Sequence, residues 1–92
     1  MISREMTIRN KTGLHARPAA AFAETAGKFG AKIQVRNLSS GSAFVNAKSI
    51  VRVLTLSAGR GATVEIAADG ADEAEAMDAI CALIEGKFGE DE

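Results

Sequence analysis

The sequence holds one histidine, His15, inside the stretch TGLHARPAA that spans residues 12–20. Arg17 follows two positions later, and Pro18, the only proline, comes next. Neutral imidazole carries a ring nitrogen with a free lone pair, a nucleophile towards phosphorus, and a guanidinium grips phosphate oxygens with a fork of N–H donors. If a helix begins at Ala16, then His15 is its N-cap, and the first backbone N–H groups of that helix point outward without partners. The aligned peptide dipoles make this end positive, so an anion formed on the imidazole is stabilised there. Pro18 fits a first helical turn, where its missing N–H breaks no bond, although it biases Arg17 away from helical backbone. Such a group can receive a phosphoryl group and hold it without a metal. A histidine before a helix is more often an ordinary solvated cap, and spacing alone does not separate the two readings.

The elements that must position these residues are legible from periodicity. Residues 2–8 alternate through Met6 and Ile8 as a half-buried strand does, and residues 10–13 break the run. From Ala16, the positions Ala19, Phe22, Ala23, Ala26 and Phe29 recur at steps of three and four, which predicts a helix with one buried stripe. Gly30 suits its end, since glycine accepts left-handed backbone. Residues 32–37 alternate through Ile33 and Val35, 38–42 form a Ser/Gly turn, and a short strand over 43–46 can pair back across it. After the break at Gly59 and Gly61, residues 62–67 read as another strand. Asp72, Glu73 and Glu75 favour a helix start, and Met77, Ile80, Ile84 and Phe88 continue on one face. Residues 49–56, SIVRVLTL, are rich in β-branched side chains, and local propensity alone makes them a strand.

A chain of 92 residues suits one domain, 1–92, with a modest core. The sequence has no long apolar run and no secretory leader, so a soluble, unexported, cytoplasmic protein without membrane insertion is expected. Cys81 stands alone, which rules out an internal disulfide, and one Cys with one His cannot build a zinc site, so neither metal nor cofactor is expected. The net charge of −1 conceals an asymmetry: residues 1–60 carry +8 and residues 61–92 carry −9. If the fold gathers Arg9, Lys11, Arg17, Lys48 and Arg52 around His15, they favour phosphate or an acidic partner; otherwise they are solvated charges. Nucleic-acid binding through a sheet of aromatics is disfavoured, because Trp and Tyr are absent and Phe22, Phe29 and Phe88 fall on predicted helix faces.

GLHARPAA, VNAKSI at residues 45–50 and DGADEAEAMDAI at 69–80 together resemble the HPr family, the histidine-containing phosphocarriers of the bacterial phosphoenolpyruvate:sugar phosphotransferase system. The resemblance spans nearly the whole chain. It implies an α+β fold, an open-faced β-sandwich of order βαββαβα, with a four-stranded antiparallel sheet and three helices on one face. Residues 49–56 then become the short middle helix, against their propensity. By the same resemblance, His15 accepts phosphate on its δ1 nitrogen from phospho-enzyme I, with phosphoenolpyruvate as the original donor, and Arg17 is the active-site arginine. The phosphate passes on to a histidine of the A component of a sugar permease or of a regulatory relative. The protein is thus expected to be a monomeric carrier rather than an independent catalyst. Such a carrier exposes its imidazole, because a shielded phosphohistidine cannot pass its group on.

Partner docking is implied for Thr12, Ala16, Ala20, Ile50, Val51 and Leu54, with Val53 and Leu56 turned inward. Val51 stands where better-known members carry methionine, and Arg52 where they carry glycine. Ser49 reads as the N-cap of the middle helix, worth about 1 kcal/mol over alanine. In many Firmicute relatives the matching serine is phosphorylated by HPr kinase/phosphorylase, which adds negative charge to the docking surface. Two other readings are a carrier of the nitrogen-related branch, against which VNAKSI leans mildly, and a serine-regulated binding module, which the intact His15 motif disfavours.

Overall fold

The protein is described by a computed structural model covering residues 1–89. Its elements are β1 (Ile2–Thr7), α1 (Ala16–Gly27), β2 (Lys32–Asn37), β3 (Val45–Asn46), α2 (Ile50–Leu54), β4 (Thr63–Asp69) and α3 (Glu73–Glu85), closed by a 3-10 turn at Lys87–Gly89. The strands form one antiparallel sheet in the order β1-β4-β2-β3. This is the open-faced βαββαβα sandwich that the sequence implies.

Register explains which side of the sheet the helices cover. Ile33 lies opposite Ala68, Val35 opposite Ile66, and Met6 opposite Val64, so these side chains share one face. The apolar stripes of α1 (Ala19, Phe22, Ala26) and α3 (Ala76, Met77, Ile80, Ile84) join them in one buried cluster. On the opposite face, Arg36 pairs with Glu65 and lies over the Phe44 ring, 4.6 Å from its centroid. Polar residues therefore cover the side that no helix shields.

Five boundaries depart from periodicity, the first of them at β1, which ends at Thr7, one residue short of Ile8. The first helix stops at Gly27, with Lys28 as a right-handed cap whose N–H reaches the Thr25 carbonyl at 3.2 Å, while the Phe29 N–H reaches that of Ala26 at 3.3 Å. Gly30 does not take left-handed backbone. Instead the turn is fixed from outside: the Asp72 carboxylate accepts from the N–H groups of Gly30 and Ala31, both at 2.9 Å, and the Lys48 ammonium donates to the Phe29 carbonyl at 2.7 Å. The strand β3 has only two residues, because the Asn37 N–H goes to the Ser42 hydroxyl at 2.8 Å and pairing starts only at Val45. The strand β4 starts one residue later than periodicity suggests and runs on to Asp69. At the far end, Phe88 leaves the helical face and takes left-handed backbone, φ 56°, while still packing on the core.

Residues 50–54 are helical despite their β-branched content. Ser49 caps them, its hydroxyl accepting from the Arg52 N–H at 3.3 Å, and its carbonyl accepts from the Val53 N–H at 3.0 Å. Burial of Val53 and Leu56 supplies the remainder, 0% and 3% exposed respectively. Tertiary packing outweighs a propensity difference of only about 0.5 kcal/mol per residue.

Candidate functional site

His15 sits where the chain turns into α1. Its backbone is extended, φ −101° and ψ −170°, and its carbonyl accepts the first helical bond from the Ala19 N–H at 2.7 Å. Since Pro18 has no N–H, the helical donors left open at this end are those of Ala16 and Arg17. The imidazole makes no capping bond and is exposed. Arg17, one residue into the helix, is also exposed, and among the described residues it forms no ion pair.

Behind the imidazole, the loop is held rigidly. The buried Leu14 donates its N–H to the Ala58 carbonyl at 2.7 Å, and Gly13 lies directly on the same segment. Gly13 has φ 68°, and a Cβ there would come within 2.5 Å of the Ala58 oxygen and 2.6 Å of Gly59 Cα. Only glycine suits this position. Asn10, fully buried, donates from Nδ2 to the Gly13 carbonyl at 2.9 Å and to the Thr12 hydroxyl at 3.4 Å.

A cleft of about 450 Å3 opens beside the imidazole, lined by Thr12, Leu14 and His15 on one side and by Leu54, Ser57, Ala58 and Gly59 on the other. It brings together Thr12, His15 and Leu54 of the residues expected to act or dock. Ala16 is exposed and Ala20 half-buried on the first turns of α1, which packs against α2. From α2, Ile50, Val51 and Leu54 project outward, 46%, 70% and 38% exposed. Ser49 lies at the head of that helix and does not line the cleft.

Lys48 does not belong to a basic rim around His15. Its ammonium is committed to the Phe29 carbonyl, at the opposite end of α1 from the imidazole. Arg9, Lys11, Arg17 and Arg52 are exposed. Sequence reading also passes over Asn10 and the segment 57–59. The first looks like any turn asparagine, and the second gains its role only from contact with a loop more than 40 residues away in the chain.

Among the described residues no group of three or more His, Cys, Asp or Glu side chains is placed to hold a metal ion, and no helix is long and apolar enough to cross a membrane. The groups exposed at this end of α1 are the His15 imidazole and the Arg17 side chain.

In sequence and fold the chain is similar to known proteins. A family model described as the PTS HPr component phosphorylation site matches residues 2–86. The phosphocarrier protein HPr of Cupriavidus necator is 48% identical over 92 residues, covering all of both chains. The crystal structure of HPr-C-His from Thermoanaerobacter tengcongensis superposes with a TM-score of 0.93 at 47% identity, again over the whole of both chains. That of an HPr dimer from the same organism gives 0.76 at 49% identity, covering 92% of this chain and 94% of that one. With its fold, its order of elements and its full length matched, the chain belongs to the HPr family of phosphocarrier proteins of the phosphotransferase system.

Proposed function

We propose that His15 is the phosphoryl acceptor of this carrier, taking the group from phospho-enzyme I and giving it to the A component of a sugar permease. The δ1 nitrogen attacks phosphorus in line; its P–N bond forms as the donor's breaks, and the electron pair of the broken bond returns to the donor imidazole. The dianion produced lies at the N-terminus of α1, where the N–H groups of Ala16 and Arg17 are open and the Arg17 guanidinium is close in sequence. Neither a general base nor a metal is required, because the nucleophile already carries a lone pair.

One observation carries this reading: the imidazole caps a helix without making a capping bond, exposed and uncommitted. A purely structural cap spends its side chain on the helix N–H groups. Docking through Thr12, Ala16, Ala20, Ile50, Val51 and Leu54 is supported by their full or partial exposure around this end of the molecule.

Incubation with enzyme I and labelled phosphoenolpyruvate tests the reading. The label is expected on the protein, labile to acid and stable to alkali, and absent from His15→Ala when circular dichroism shows that variant folded. Label retained in His15→Ala would place the acceptor elsewhere.

A further inference from the structure

Among the described residues, three that are not glycine have left-handed backbone: Ser57, Lys87 and Phe88. The last two close the C-terminal turn. Ser57, with φ 49°, follows α2 and lines the His15 cleft. A side chain in this conformation is disfavoured, and glycine or asparagine is the usual occupant. Strain of this kind tends to persist where the surroundings enforce it for a purpose.

The surroundings enforce it from both sides. The Ser57 N–H donates to the Leu54 carbonyl at 3.2 Å, ending α2, and the next residue turns its carbonyl onto the Leu14 N–H. The left-handed turn thereby sets Ser57 among the residues that line the cleft beside the imidazole loop. Its hydroxyl is exposed and makes no hydrogen bond among the described residues. The Thr12 hydroxyl, in the same cleft, already accepts from Asn10. Among the described residues no carboxylate lines the space, and Leu14, Leu54 and Ala58 supply its apolar surface.

We propose that the Ser57 hydroxyl is a phosphate-contacting donor, binding an oxygen of the phosphoryl group carried by His15 from the wall opposite α1. The inference rests on the transfer reading above. A donor on a peripheral oxygen withdraws the electron density that expels the phosphoryl group from nitrogen, and so slows its loss to water while leaving it accessible to a partner.

The test is the decay of labelled phosphoprotein at neutral pH after removal of enzyme I and phosphoenolpyruvate. Ser57→Gly keeps the left-handed backbone and deletes the hydroxyl; its phosphohistidine should decay about threefold to tenfold faster, with no loss of melting temperature. Ser57→Asn tolerates the same backbone and restores a donor, so its decay should fall within about twofold of the wild type. Wild-type decay in Ser57→Gly overturns the assignment, and so does Ser57→Asn decaying as fast as Ser57→Gly. Absence of label from the wild-type protein overturns the transfer reading together with it, whereas label with unchanged decay removes only the role of Ser57.

Discussion

The proposed chemistry depends on a few residues whose types are conspicuous and a few whose types are not. His15 and Arg17 are singled out by the family resemblance, since the spacing of a lone imidazole and a guanidinium two positions on fits a phosphate site and a solvated cap alike. Gly13, Asn10 and Ser57 are not, since each acts through the meeting of the 10–14 loop with the 57–59 segment, a contact no local pattern encodes. Gly13 carries the sharpest consequence. Replacing it by alanine adds a Cβ 2.5 Å from the Ala58 oxygen on backbone with φ 68°, so the Leu14–Ala58 hydrogen bond must give way. Gly13→Ala should cost about 2–4 kcal/mol in urea unfolding and slow phosphorylation of His15 as its loop loosens. Stability within about 0.5 kcal/mol of wild type would show that the loop is less tightly held than its contacts with 58–59 imply.

At the scale of elements, periodicity finds β1, α1, β2, β4 and α3 because each alternates between a wet and a dry side. It fails at α2, where the packing of Val53 and the Ser49 cap override β-branched propensity, and only the family resemblance supplies the helix. It also fails at the end of α1, which is set by two distant side chains. Asp72 is one of them. The backbone N–H groups of Gly30 and Ala31 hold its carboxyl below the usual carboxylate range, with Lys48 assisting and desolvation opposing. A depressed folded-state value contributes stability above the unfolded value, and that contribution is lost as pH falls through the folded one. Asp72→Asn should therefore melt at lower temperature than wild type above about pH 4, and the gap should close by about pH 2. Thermal scans across that range check this; a gap that persists at the acid end would trace it to packing and not to charge.

Across the whole molecule, an acidic C-terminal third and a basic remainder coexist in a chain of net charge −1. The fold uses the basic part selectively: half-buried Lys48 is spent on the Phe29 carbonyl, while Arg17 stays exposed on α1 and Arg52 stays exposed within α2, whose Ile50, Val51 and Leu54 face outward. An exposed apolar patch edged by arginine suits a partner of acidic rim. Val51, 70% exposed, tests this without touching the core. Val51→Glu should leave stability within about 0.5 kcal/mol of wild type. Steady-state kinetics with enzyme I should show its KM raised by about tenfold and kcat little changed, as removal of a docking contact requires. An unchanged KM would move the docking surface away from α2.

On the proposed reading, carrier function turns on one nitrogen atom of the exposed His15 imidazole at the positive end of α1. Phosphorus and nitrogen NMR of the isotopically labelled protein, phosphorylated by enzyme I and phosphoenolpyruvate, reads that atom directly. One phosphorus signal coupled to the δ1 nitrogen of His15 is the expected result, disappearing when a permease A component is added. Phosphorus bonded to any other atom, or a His15 ring unchanged in the phosphorylated protein, would contradict it.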